Sequence, residues 1–339
     1  GLRITKDNLR LIGKVVPGRG DAGKVRVLFK PNSDQKTGVY AAPSGCDYNV
    51  GANTDLGQQC KARQLKGFYI RGFTVEGFPV NGIQTRWVDG FEFVSNESVR
   101  NLNNGIYPTL SANGLVRDNV SYGSLDTAMW IAASENVRVI NNTLFGSVIG
   151  FEITVSNNVW VTQNKIYDNT LGIGLFHPNG AGNPPLPVMA NWVVEHNDVR
   201  NNNRPNEAVP GTFQSALPPG IGILVAGVSD HVVAKNTVED NSFVGIGVLG
   251  WCTANAGTDN DCSLNAPIAD PAVNNNRISL NKLARNGGSP PPIGIAFLAA
   301  DVTYFQFEGS SGNCFEKNKP AGFGFVSSEP NGLLPTDGC

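Results

Sequence analysis

Charge is scarce in this chain, and what there is nearly cancels. Only 16% of its 339 residues are charged and the formal net charge is −2, with both signs scattered along the length. Such a surface lacks the concentrated positive field that attracts nucleic acid or an anionic membrane, so neither is an expected partner. Histidine is rarer still, at 3, and no CxxC occurs, which removes the usual zinc frameworks. No run of 18 apolar residues is present, so no membrane-spanning helix is expected. The chain begins at "GLRITKDNLRLIG" without a signal-peptide pattern, which implies a processed or trimmed secreted chain.

Glycine and proline are abundant, at 40 and 21, against 40% hydrophobic residues. A chain that turns often and still buries a large core fits many short strands better than long helices. The cysteines fall into three sequence-local pairs, Cys46/Cys60, Cys252/Cys262 and Cys314/Cys339. Six cysteines admit about 15 pairings. Pairing of neighbours would close the loops "CDYNVGANTDLGQQC" and "CTANAGTDNDC" and tie down the C-terminus. Closing a loop of about 15 residues is worth roughly 3 kcal/mol. Such usage implies an oxidising compartment: secreted, periplasmic or at the cell surface.

The strongest signal is a repeat. A stanza G-I-x-[VIL], a few turn residues and V-x-V-x-x-N-x-[VIL] returns from "NGIQTRW" (81) through "NGIYPTL" (104), "TAMWIAA" (127), "IGFEITV" (149), "LGIGLFH" (171), "PGIGILV" (219) and "VGIGVLG" (244) to "IGIAFLA" (293). Its asparagines are Asn96, Asn119, Asn142, Asn164, Asn197, Asn236 and Asn281. A period near 22 is too short for helix pairs, and the alternation of apolar with variable residues has the two-residue period of strands. The expected fold is all-β: one right-handed parallel β-helix of about nine coils in a single domain, 1–339. Its regular coils cover about 64–325, with an irregular disulfide loop at 46–60 and a disulfide-tied tail at 314–339. Asparagine tolerates left-handed backbone and bonds to backbone at tight turns. Stacked about 4.8 Å apart, equivalent amides also bond one another, so these asparagines are read as structural and the sequons among them as accidents.

The pattern resembles the right-handed parallel β-helix repeat family of the pectate-lyase-like superfamily. Within it, "NGIYPTLSANGLVRDNVSYGSLDTAMWIAASENVRVINN" is similar to secreted bacterial β-helix proteins of unassigned activity. The resemblance implies a scaffold that carries lyases, epimerases, esterases, hydrolases and non-catalytic adhesins alike. No Asp-Pro-His-Asp stretch like that of mannuronan epimerases occurs; "HPNG" at 177 is a faint echo. The clustered aspartates that hold Ca²⁺ in pectate lyases have no counterpart. "TDNDC" (258–262) is acidic enough for Ca²⁺ yet lacks the spaced carboxylates of an EF-hand loop, so no metal or cofactor is expected.

With the Ile of each stanza inward, the next residue faces out. The outward positions are then Gln84 with Arg86, Tyr107, Trp130, Glu152 with Thr154, Gly174 with Phe176, and Gly222, Gly247, Ala296 and Gly324. Neighbouring coils set Tyr107 beside Trp130 in an aromatic strip, the kind of surface on which sugar rings pack. Three insertions, 177–190, 204–219 and 250–271, leave the regular coil, and long loops on a rigid scaffold commonly carry binding. His177 lies at the base of the first; His196 and His231 read as structural. Lyase or epimerase chemistry on a uronic acid needs a cation for the carboxylate, a base and an acid. Arg86, Tyr107, His177 and Glu152 are the candidates, with Gln84, Trp130, Asp126 and Phe176 contacting substrate. Hydrolysis by two carboxylates would require the corner to bend Asp126 back toward Glu152. The expected function is a carbohydrate-active protein holding an extracellular, acidic polysaccharide. The alternative is a non-catalytic β-helix used as a surface, adhesion or assembly element.

Overall fold

The computed structural model describes residues 1–13, 16–17, 24–25, 27–32, 34–177, 188–255, 272–305 and 309–339. Its frame is three parallel sheets of 11, 10 and 10 strands. Each regular coil gives one short strand to each sheet in turn. In one coil these are Ile106–Thr109, Ala112–Arg117 and Val120–Tyr122. Strands of these three sheets pair with their equivalents one coil away, as Val116 does with Phe93 and with Val139. The stack is a parallel β-helix. In the first sheet, nine strands run from Ile83–Arg86 to Phe325–Ser327. Two more, Leu2–Ile4 and Val39–Ala41, extend it ahead of the visible repeat.

The alternation of apolar residues fills the interior. Ile83, Ile106, Met129, Phe151, Ile173, Ile223 and Ile246 form one buried row, each at 0% exposure. Val116, Val139, Val161 and Val194 supply another from the second sheet, also at 0%.

The expected asparagine ladder lines the corner between the second and third sheets. Asn164 Nδ2 donates to Asn197 Oδ1 at 2.9 Å, and the Asn164 backbone N–H donates to the same oxygen at 3.0 Å. The pattern repeats from Asn96 to Asn318. The left-handed residue at this corner is not the ladder asparagine but the one before it: Ser95, Asp118, Asn141, Gln163, His196, Lys235, Leu280 and Lys317 all have φ between 53° and 59°. Two different jobs share the corner. One residue turns the chain, and the next satisfies buried backbone groups that no strand reaches. His196 belongs to the first job.

A second ladder, absent from the sequence reading as a residue set, runs Ser147, Asn169, Asn202, Asn241, Asn286 and ends on Asp301. His231 serves a third corner, where its Nδ1 accepts from the Trp192 N–H at 3.4 Å and its ring stacks on Trp192 at 4.1 Å. Burial pushes its pKa down to about 3, so it stays neutral and is structural.

Cys46–Cys60 and Cys314–Cys339 are bonded as neighbour pairing required. Cys252 is also disulfide-bonded; Cys262 and the "TDNDC" segment lie outside the described residues. The cluster of Cys314, Glu316 and Cys339 is no metal site, because both sulfurs are spent on each other. Among the described residues no helix is long and apolar enough to cross a membrane.

Candidate active site

Register places Tyr40, Gln84, Tyr107, Trp130 and Glu152 on successive coils in one outward row of the first sheet. The Tyr107 and Trp130 rings stack at 4.5 Å and 12°. Trp130 Nε1 donates to Thr154 Oγ1 of the next coil at 2.9 Å, which fixes the indole. Gln84 Oε1 accepts from Asn81 Nδ2 at 2.9 Å. Stacked rings spend faces on each other, so the row offers Trp130, half-buried, as its wide apolar edge.

Beside that edge, the corner does bend Asp126 back. The next residue, Thr127, points its hydroxyl at two carboxylates: Oγ1 lies 2.8 Å from Glu152 Oε2 and 3.2 Å from Asp126 Oδ1. A hydroxyl has one proton to donate. The second contact therefore needs a proton from one of the acids. The electrostatics agree: burial, and then the charge of Asp126, pushes Glu152 well above the usual carboxylate range, and burial pushes Asp126 up to about 7. Glu152 is only 6% exposed, whereas Asp126 is half-buried. Glu152 is the member that keeps its proton longest, and Asp126 ionises first.

The remaining candidates are not gathered here. Arg86 donates through Nη1 to the Tyr48 carbonyl and through Nη2 to the Val50 carbonyl at 2.9 Å, with its guanidinium over Trp87. It is 6% exposed and clamps the disulfide loop to the first sheet. Opening Cys46–Cys60, which spans a separation of 14 residues, should cost about 3 kcal/mol. Denaturant titration of the Cys46→Ala/Cys60→Ala chain measures it; a change under about 1 kcal/mol would show that the loop stays ordered without the bond.

His177 sits 5.5 Å from the Trp251 ring, and Phe176, 2% exposed, packs edge-on to Phe213. Phe176 belongs to an apolar cluster with Leu217, Leu224, Phe243, Trp251 and Leu298, which line a cavity of about 50 Å³, and His177 abuts that cluster through Trp251. The 204–219 insertion is thus packed onto the first sheet through Phe213 and Leu217. Residues 178–187 and 256–271 of the other two insertions lie outside the described residues.

The outward parity holds through Phe176 and at Gly247, and slips elsewhere. Register puts Leu224, Thr303 and Val326 where Gly222, Ala296 and Gly324 were expected. "PGIGIL" contains the G-I pair twice in succession, and the second pair, not the first, holds the phase of the row. "GIAFL" forms a 3-10 turn, Ala296–Leu298, ahead of the true strand Ala300–Phe305. At that end the row is therefore mixed, with Leu224, Thr303 and Val326 among the glycines Gly174 and Gly247. Sequence reasoning also missed Tyr40, which lies ahead of the repeat, and Thr127, an inconspicuous hydroxyl until the corner shows what it joins.

The right-handed β-helix region, as a family, matches residues 81–262, more than half of the chain. The chain belongs to the right-handed β-helix family. Among solved structures it resembles the A-module of the mannuronan C-5 epimerase AlgE4 of Azotobacter vinelandii, at 15% identity and a TM-score of 0.51, covering 96% of this chain and 90% of that one. It also resembles DFA-IIIase of Arthrobacter chlorophenolicus A6, solved in complex with GF2, at 12% identity and a TM-score of 0.57, covering 99% and 76%. No curated protein matches the sequence. At these identities the likeness is one of fold, a right-handed β-helix shared over nearly the whole chain.

Proposed function

We propose that this β-helix protein is a secreted or periplasmic enzyme that cleaves glycosidic bonds, holding a glycan along Tyr107 and Trp130 with Asp126 and Glu152 as the acting pair. The single observation that carries the reading is the Thr127 hydroxyl shared by both carboxyls. The two bonded oxygens can be no farther apart than those two bonds laid end to end. That is compatible with the roughly 5–5.5 Å between carboxyl groups of retaining glycosidases. In this scheme Glu152 gives its proton to the leaving glycosidic oxygen while Asp126, ionised, attacks the anomeric carbon. Water then releases the sugar, its proton returning to Glu152. Two solved β-helix neighbours carry the names of a mannuronan C-5 epimerase and a DFA-IIIase, which supports a role on carbohydrate.

Lyase or epimerase chemistry loses ground because the cation expected on the carboxylate, Arg86, is bound to carbonyls and one candidate proton carrier, His177, packs against Trp251. The deciding experiment incubates the protein with neutral and acidic glycan panels, following reducing ends, unsaturated-product absorbance and solvent deuterium uptake. New reducing ends without the other two signals are expected; unsaturated product or deuterium uptake would overturn the assignment. The low exposure of Glu152 favours one second reading, a non-catalytic glycan binder, which would bind without cleaving. Under either reading Trp130→Ala removes the Tyr107 stack and the Thr154 bond. It should weaken glycan binding about tenfold, read by calorimetric titration; unchanged affinity would place the glycan elsewhere.

A further inference from the structure

We infer that the outward face of the second sheet is a separate binding site, for a carboxylate-bearing polysaccharide laid along the axis of the β-helix. Register sets Arg10, Tyr69, Glu92, Leu115, Arg138 and Trp160 on successive coils in one outward row. A groove of about 510 Å³ runs over the first five. It shares no residue with the strip on the first sheet, and it is open: Arg10, Glu92 and Arg138 are exposed, Tyr69 and Leu115 half-buried.

Glycine makes the groove. Two positions before each member of the row the chain turns with positive φ, at Asn8, Gly67, Gly90, Asn113 and Asn136. Where the others carry an amide, Gly67 and Gly90 carry no side chain, and a Cβ on Gly90 would meet only the Gly67 backbone, no nearer than 3.8 Å. The flanking amides form an exposed row. Asn136 Nδ2 donates to Asn113 Oδ1 at 3.1 Å, and Asn113 Nδ2 to Asp89 Oδ1 at 2.6 Å. Each Nδ2 carries a second N–H, which these bonds leave for the hydroxyls of a ligand.

The charge of the groove calls for an anion. Arg10 lies over the Tyr69 ring, 4.0 Å from its centroid, and Arg138 over Trp160 at 5.1 Å. Among the described residues neither has a carboxylate partner. Stacking fixes each guanidinium plane and leaves its N–H edge unbonded, the edge that grips a carboxylate with two bonds. Three acids lie near. Asp89 is matched by Lys66 at 2.7 Å, Glu135 stands at the corner outside the lining, and Glu92 sits in the row between the two arginines, which outnumber it. Four coil steps, roughly 19 Å, separate Arg10 from Arg138. The ligand is therefore an extended chain with carboxylates spaced along it, not one small anion. Both aromatics already hold a guanidinium on a ring face, so base stacking, which single-stranded nucleic acid relies on, is not what the groove offers. Amides repeating once per coil suit a hydroxyl-rich polymer instead.

Calorimetric titration of the intact protein with polygalacturonate and with alginate tests this, against their carboxyl-reduced forms, poly-glutamate and duplex DNA. At least one native uronan should bind, about tenfold more tightly than any of the controls. Arg10→Gln and Arg138→Gln should each weaken that binding about tenfold. Gly90→Asn, which puts into the groove the residue that the next coil carries at the same turn, should weaken it as well. Glu92→Gln should tighten it about threefold, a gain that misfolding cannot produce. Binding of no uronan overturns the inference, and so does equal binding of a carboxyl-reduced form. Equal binding of poly-glutamate or DNA overturns it too, leaving a surface that reads charge alone. Uronan binding lost in Trp130→Ala but kept in the arginine variants places the polymer on the first sheet and overturns it likewise. None of these outcomes bears on cleavage by Asp126 and Glu152, which reducing ends report separately.

Discussion

Glu152→Gln should abolish glycan cleavage and, in the same protein, flatten the loss of stability that the native chain shows as pH rises. Removing a general acid costs about 10²–10⁴ in rate. The stability effect follows from linkage. Asp126 titrates near 3.8 when unfolded and at about 7 when folded, and Glu152 is also raised well above its ordinary 4.5. Below about pH 4 both acids are protonated in both states, and the fold is not penalised. Between there and about pH 7 the unfolded chain releases protons that the folded chain retains. Stability then falls by about 1.4 kcal/mol per pH unit for each proton held. Glutamine holds no titratable proton and keeps the bond to Thr127, so one contribution disappears. Asp126, freed of its neighbour's charge, also ionises earlier.

The acid limb should not move. It belongs to His231, whose folded pKa of about 3 lies below the unfolded 6.5, and to carboxylates held low by arginine or lysine partners, Glu76, Asp89 and Asp240. Those groups stabilise the fold above their unfolded pKa values and lose that stabilisation as pH falls. Urea titrations from pH 4 to 9 read both limbs. An unchanged slope between pH 5 and 8 in the variant would mean that the pair carries no extra proton, and the catalytic assignment would fall with it.

Why the sheet frame was readable and the acid pair was not comes down to the range of the forces involved. Ile106, Val116 and Asn119 are specified by the coil's own period: each must point inward or satisfy a corner, and the same demand recurs one coil later. Tyr107 beside Trp130 was readable for the same reason, since equal phase in adjacent coils forces equal places in a row. Asp126 lies in the turn between periods, where no repeat dictates direction. Only the fold shows that its carboxyl reaches the hydroxyl of Thr127 and so, through it, Glu152. Arg86 failed differently. Its outward phase was right, but the partner that occupies it comes from the 46–60 loop, a non-repeating segment whose position no periodicity encodes. Leu224 failed because a two-residue slip still presents an apolar alternation, and Thr303 because the stanza-like "GIAFL" forms a turn ahead of the strand that takes its place.

Asn197→Ala should be the most damaging single change in the scaffold, destabilising it by about 4 kcal/mol or more. Asn197 Oδ1 accepts from the Asn164 N–H at 3.0 Å and from Asn164 Nδ2 at 2.9 Å. Its own Nδ2 shares two protons among the carbonyls of Val161 and Glu195 and Asn236 Oδ1, at 3.0 to 3.1 Å. The residue is 2% exposed, so water does not replace what alanine removes. The Asn164 N–H and the acceptors on either side become buried polar groups without partners, each costing about 1–3 kcal/mol. Position decides the rest. In a stacked array each coil is held only by its neighbours, so a break at the middle of the ladder uncouples the two halves, whereas one at its end does not. Asn318→Ala, at the half-buried C-terminal end, should therefore cost about 1–2 kcal/mol and leave a single cooperative transition. Asn197→Ala should split the transition or reduce its denaturant slope. If the two variants lose equal stability with unchanged slopes, the ladder is a set of independent caps and not the element that couples one coil to the next.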